Sequence, residues 1–103
     1  MYGIPVYSTR VGEPLEFSWD EIKAAANEAK HGVTFEFATL VFHAADRQDV
    51  PSRHEGDREA RSVAYGTIDG SLFAVVYTVT GEVIRIISAR RANRTERKRH
   101  GQL

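Results

Sequence analysis

Leu15, Phe17 and Trp19 alternate with Glu16 and Ser18 in LEFSW, the period of two that a half-buried strand requires. From Ile22 the apolar spacing lengthens. Ile22, Ala25, Ala26 and Ala29 recur at helical intervals, which predicts a helix running to about Lys30. Ser18 with Glu21 reads as its capping box, Asp20 is the rival cap, and Gly32 supplies the residue that ends it. Thr34 caps a second helix whose apolar content is Phe35, Ala38, Leu40, Val41 and Phe42. The polar stretch 44–58, broken by Pro51 and Gly56, predicts a long exposed loop.

Three strand candidates follow, at 59–68, 71–79 and 82–89, separated by the turn signals Asp69-Gly70 and Thr80-Gly81. Two tight turns between β-rich runs predict an antiparallel meander. The last two runs are apolar at successive positions, which implies cover on both faces. Asn93 with Glu96 three residues later predicts a closing helix over 94–100. The first dozen residues, punctuated by Gly3, Pro5, Gly12 and Pro14, read as irregular. The expected architecture is one α+β domain over residues 1–103, in the order β-α-α-β-β-β-α with an antiparallel sheet. Residues 1–14 form an irregular extension and 15–100 the folded unit.

Composition changes this picture little: 42% hydrophobic and 27% charged residues in 103 are those of an ordinary soluble domain with one core. There is no cysteine, which removes disulfides and thiolate zinc sites from consideration. The opening residues lack the basic leader and apolar run of a secretory signal, and no run is long enough to span a membrane.

Charge changes it more. The net charge is zero, yet Arg85, Arg90, Arg91, Arg94, Arg97, Lys98 and Arg99 face only Glu96 in residues 85–100, a local balance of +6. Residues 1–84 carry −6. Such polarisation points to a polyanion at the closing end, or to a solvated terminal helix, and to a partner that neutralises it.

Candidate chemistry is narrow. The four histidines, His31, His43, His54 and His100, show no metal-ligand spacing, and neither a Gly-rich phosphate loop nor a GxSxG elbow is present, so no metal or cofactor is expected. The arginines remain. Arg85 interrupts the apolar run Ile84, Ile86, Ile87, and a guanidinium there either pairs with a carboxylate such as Glu59 or lines a cleft. Arg61 is a second of that type. Arg90 and Arg91 stand where strand gives way to helix, placed to reach phosphate with bidentate forks. Lys30 and His31 close the first helix, either as favourable charges at its carbonyl end or, for His31, as a general acid or base. Lys23 and Asn27 on the same helix read as surface or capping groups. Tyr2, Tyr7, Tyr65 and Tyr77 are candidates to stack on bases, the two in strands being commoner as core.

Taken together, FSWD, Lys23, Asn27, KHGVTFEFA, Phe42, Glu59-x-Arg61, Gly66 and IRIISARRANRTER closely resemble the BrnT toxins of bacterial BrnT/BrnA toxin–antitoxin pairs, over about residues 17–99. The resemblance implies a compact RelE-like fold and a cytoplasmic ribonuclease that cuts RNA and arrests growth. It also implies a BrnA-like antitoxin that neutralises the toxin and carries the complex to operator DNA. Metal-free cleavage by the ribose 2′-hydroxyl needs a base, an acid and cations on the crowded phosphorane. On matched positions and residue type, His31 and Glu59 are the acid–base candidates and Lys30 an electrostatic helper. Arg61 and Arg85 are the catalytic cations, and Arg90, Arg91, Arg94 and Arg97 the RNA-binding ones. The alternative is a non-catalytic module that holds nucleic acid or a partner through the basic segment. Two departures stand out: about sixteen residues precede the strand with which family members commonly begin, and His100 stands near a position where they often carry tyrosine.

Overall fold

The computed structural model describes residues 2–7, 14–52 and 60–101, with backbone alone for 2–7 and 14. Six strands form one sheet: β1 (Tyr2–Tyr7), β2 (Pro14–Trp19), β3 (Gln48–Pro51), β4 (Ser62–Ile68), β5 (Ser71–Thr80) and β6 (Val83–Arg91), in spatial order β1-β2-β6-β5-β4-β3. Helices α1 (Glu21–His31) and α2 (Phe35–Ala38), the latter continuing as a 3-10 turn (Thr39–His43), lie between β2 and β3. Helix α3 (Arg94–His100) closes the chain.

The mixed α/β class and the β4-β5-β6 meander agree with expectation. The order and the purely antiparallel sheet do not. Two strands are added, and β2 runs parallel to β6, pairing Glu16, Phe17 and Ser18 with Val83, Ile84 and Arg85. Residues 2–7, expected to be irregular, pair antiparallel with β2 from Tyr2↔Trp19 to Tyr7↔Pro14. β1 is an edge strand, where a proline such as Pro5 is tolerated because one side of the backbone needs no ladder partner. The expected 44–58 loop likewise contains β3, which pairs Gln48 with Tyr65 and Val50 with Val63 and ends on Pro51 at the opposite edge.

The first face of the sheet carries the core. Phe17, Trp19, Phe35, Phe42 and Val41 are at most 1% exposed. The Trp19 and Phe35 rings meet edge to face at 6.0 Å, and Phe42 meets Phe17 at 5.3 Å and Tyr77 at 5.1 Å, arrangements that suit the ring quadrupoles. Gly66 lets the 3-10 turn press onto β4, because a Cβ there would stand 2.9 Å from that of Ala44. The second face carries a smaller cluster of Tyr65, Leu72, Ala74 and Ala92, with Val50 and Val63 beside it.

Local signals are obeyed with one exchange of partners. Asp69 and Gly70, with φ of 52° and 82°, make the two-residue hairpin between β4 and β5. Thr34 caps α2 and Gly32 ends α1 in the left-handed conformation. The cap of α1, however, is Asp20. Its Oδ1 accepts from Ile22 N–H at 2.8 Å and Lys23 N–H at 3.2 Å, while Ser18 lies in β2 and is buried.

The expected surface role of Asn27 is overturned. Asn27 is the one buried residue of α1. Its Oδ1 accepts from Ala89 N–H at 3.1 Å and its Nδ2 donates to Ala89 O at 2.8 Å and Val33 O at 3.0 Å. The amide thus completes the ladder of β6 beyond the point where β2 leaves it. Ala24 and Asn27 therefore turn to the sheet, and the apolar stripe turns out: Ile22 is 82% exposed and Ala25, Ala26 and Ala29 are exposed. Small alanine side chains have little area to bury, so three amide hydrogen bonds decide the rotation of the helix.

Asn27→Ala leaves the polar groups of Ala89 and Val33 unpaired in a buried setting and is expected to lower stability by about 3 kcal/mol. Urea unfolding with an unchanged m-value is the measurement. Asn27→Asp is expected to be at least as damaging at neutral pH and to recover partly in acid, because its charge faces two carbonyl oxygens until it is protonated.

Candidate functional site

Register places the strand arginines. Arg85 stands opposite Ser18 on one side and Thr78 on the other. Ser62 pairs with Tyr77, so Arg61, one residue earlier, is level with Thr78, and its carbonyl continues the ladder by accepting from Ser52 N–H at 2.8 Å. Tyr77 faces the core. Side chains alternate along a strand, so Arg61, Thr78, Arg85 and Ser18 form one row on the second face. Thr78 and Ser18 are 4% and 3% exposed, and the Thr78 hydroxyl has no hydrogen-bond partner among the described residues. Arg61 and Arg85 are half-buried, and each residue has an interaction partner. Arg85 also reaches the start of α1. It lines a concavity of about 350 Å³ with Trp19, Asp20, Glu21 and Ile22. The Asp20 carboxyl is held below its usual range, by the capping amides of Lys23 and Ile22 first and by the charges of Lys23 and Arg85 to a lesser degree.

A bulge sorts the remaining arginines. Val76 pairs with Ser88 but Tyr77 with Ile86, so Ile87 is an extra residue in β6. Beyond it the alternation is reversed. Arg90, opposite Ala74, joins Arg85 on the second face, and Arg91, opposite Phe73, turns to the first.

Arg90 holds α3 in place. Its Nη1 and Nη2 meet the Glu96 carboxylate oxygens at 2.7 and 2.9 Å. The same carboxylate accepts from Tyr65 Oη at 2.9 Å and from Asn93 N–H at 2.8 Å, the latter half of the expected capping box. The Arg90 hydrogen bonds, helped by those from Asn93 and Tyr65, outweigh partial burial and hold the Glu96 carboxyl down at about 2. At the other end of α3, the His100 ring stacks on Tyr65 at 4.2 Å, and its Nδ1 and backbone carbonyl oxygen meet the Gln48 side-chain amide at 3.0 and 2.9 Å. Arg90 and His100 are thus structural contacts of the closing helix. Arg94, Lys98 and Arg99 point outward. Arg97 donates to Ala92 O at 3.1 Å and borders a cleft of about 880 Å³ with Asp46, Thr67 and Leu72.

Lys30 and His31 lie elsewhere. The last turn of α1 meets the far end of β6, where Arg91 shares a concavity of about 340 Å³ with Gly32, Val33 and Thr34. Arg85 and Arg91 are six residues apart, about 20 Å along a strand, and α1, with its 11 residues, spans about 16 Å between the two ends. The structure therefore brings Arg61 into one row with Arg85, and puts Lys30 and His31 at the other end of α1, in the turn before the residues that line the Arg91 concavity. Glu59 lies outside the described residues. Among those described, no three His, Asp or Glu side chains gather in a way that could hold a metal ion, and no helix is long and apolar enough to cross a membrane.

Sequence reasoning missed the Tyr65–Glu96–Arg90 cluster and the Gln48–His100 contact. Glu96 alone announced itself, as a lone acid among seven cations at a capping position. A carboxyl held low stabilises the fold above its ordinary pKa and loses that contribution as pH falls through the depressed value. Glu96→Gln is therefore expected to melt below the wild type at neutral pH, with the gap closing between about pH 5 and pH 2. Thermal unfolding followed by circular dichroism at stepped pH is the check, and a gap that persisted in acid would contradict it.

No curated protein matches this chain. Residues 19–96 match the family profile described as "Ribonuclease toxin, BrnT, of type II toxin-antitoxin system". That span covers three-quarters of the sequence and includes the α1 cap, Asn27, the Arg61–Thr78–Arg85 row and Glu96, so the chain belongs to the BrnT family of ribonuclease toxins.

Proposed function

We propose that the chain is a metal-independent endoribonuclease whose scissile phosphate sits against the second face of the sheet, between Arg61 and Arg85. The observation that carries this reading is their common row, either side of the buried Thr78 hydroxyl. Two guanidinium groups carried in one row can meet the equatorial oxygens of a phosphorane bidentately, and they keep their charge at any relevant pH. Fixed cations at the site of developing charge need no reorganisation during reaction, which is where most of their catalytic value lies.

The ribose 2′-oxygen attacks phosphorus, the bond from phosphorus to the 5′-oxygen breaks, and a 2′,3′-cyclic phosphate and a 5′-hydroxyl result. The 2′-proton passes to Glu59, two residues before Arg61, and the 5′-oxygen takes one from solvent. Lys30, His31 and Arg91, at the far end of α1, hold the strand several nucleotides away instead of sharing the scissile phosphate. The outward cations of α3, Arg94, Lys98 and Arg99, receive an acidic segment of a BrnA-like antitoxin, and Arg97 flanks them. Covering them opposes RNA entry, restores growth that cleavage arrests, and lets the antitoxin carry the complex to operator DNA. The fold, a sheet with helices on its first face and α3 on its second, is on this proposal a RelE-like one acting in the bacterial cytoplasm.

The isolated protein is expected to cut single-stranded RNA in EDTA and leave cyclic or 3′-phosphate ends. Arg61→Ala and Arg85→Ala are each expected to slow cutting by about 100-fold or more with an unchanged circular dichroism spectrum. Folded variants that cut at the wild-type rate would remove the arginine row from the mechanism. RNA that is retained by the wild type but stays intact across pH would favour the non-catalytic module.

A further inference from the structure

Phe37 is an exception among the five phenylalanines. Phe17, Phe35, Phe42 and Phe73 are at most 5% exposed, whereas Phe37 is half-buried at the rim of the concavity beside Arg91. Phe37 packs against the margin of the aromatic core without being enclosed by it, while Phe35 and Ala38 are the residues that α2 buries. Phe37 leans on Phe73 edge to face, with centroids 5.1 Å apart and planes at 69°. The Arg91 guanidinium lies 5.3 Å from the Phe73 centroid, steadied by one hydrogen bond from its Nη1 to Ser71 Oγ at 2.9 Å. Its other N–H groups make no protein hydrogen bond among the described residues, and the side chain is exposed. The floor is Gly32, Val33 and Thr34, the turn between α1 and α2. A half-buried aromatic at the rim of a hollow of about 340 Å³, beside an arginine held by one hydrogen bond, is the chemistry by which proteins hold one unstacked base of a single strand. The volume is at the small end of ligand sites and suits a single ring system better than a larger ligand.

We propose that this concavity is a subsite for one nucleobase of the RNA substrate, which stacks on the Phe37 ring while Arg91 takes the adjoining phosphate. The proposal rests on the ribonuclease reading above and extends it. The subsite lies at the opposite end of α1 from the Arg61–Arg85 row, so it selects a base several nucleotides from the cut and fixes the register in which the strand crosses the sheet. Arg91 is then a positioning residue, and Phe37 a determinant of where the chain is cut.

Two measurements test it. With a cleavable RNA, Phe37→Ala is expected to raise KM about tenfold, with a smaller loss in kcat, and to redistribute the cut sites, and Phe37→Trp to restore the wild-type pattern. Phe37→Leu keeps the apolar contact with Phe73 but has no ring face, and should resemble Phe37→Ala in cutting while melting like the wild type. It carries the test should Phe37→Ala fail to fold. With a 2′-O-methyl RNA, which has no nucleophile, 2-aminopurine is placed at each position in turn. Its fluorescence should be quenched at one position by the wild type and Phe37→Trp, and not by Phe37→Leu. A wild type that cuts RNA while Phe37→Leu cuts the same sites with the same KM, or quenches equally, overturns the subsite and leaves the nuclease intact. A wild type that neither cuts nor binds these RNAs overturns both.

Discussion

One carboxamide decides how the helical layer sits on the sheet. β2 accompanies β6 only from Val83 to Arg85, whereas β6 runs on to Arg91. The edge groups it exposes must find partners, since a buried unpaired amide costs a substantial fraction of the stability of so small a domain. Asn27 supplies both an acceptor and a donor to Ala89, as a strand would, and spends its second donor on Val33. From this contact follow the rotation of α1, the exposure of its alanine stripe, and the position of the α1–α2 turn next to the end of β6. Loss of Asn27 would loosen the whole helical layer, not one bond.

The two faces of the sheet are held by different physics. The first is an aromatic core closed by rings at tilted and edge-to-face contacts. The second is fastened by polar groups, with Glu96 collecting Arg90, Tyr65 and the amide of Asn93 while His100 and Gln48 secure the far end. A seven-residue helix has little stability of its own, and α3 buries no residue fully. These charge-assisted bonds hold it in their stead. They also explain why one acidic residue stands inside the most basic stretch of the chain: Glu96 neutralises Arg90 of β6 and leaves Arg94, Lys98 and Arg99 of α3 facing outward.

The β6 bulge sends a run of arginines to separate places on the sheet. An even alternation would have put Arg90 on the side of Ile84 and Ile86. With Ile87 inserted, Arg85 and Arg90 share the second face while Arg91 reaches Phe73 on the first. The basic segment is therefore not one surface. Part of it anchors a helix, part lies beside Thr78, and part borders the hollow at the end of α1.

Much of the fold was legible because its signals are local. The Asp69-Gly70 turn, the Thr34 cap, the Gly32 stop and the Asn93–Glu96 capping box each depend on residues within four positions of one another, and the meander and α3 follow from them. The arginines were legible as candidates by their type and their intrusion into an apolar run. Edge pairing was not, because backbone ladders accept almost any side chain, and Pro5 and Pro51 disguised strands that tolerate proline at an edge. Nor could sequence reveal that Asn27 outweighs the alanine stripe, that Ser18 yields the cap to Asp20, or that His31 and Arg85 stand at opposite ends of α1. Those outcomes depend on which distant backbone groups lack partners, and only the assembled sheet decides that.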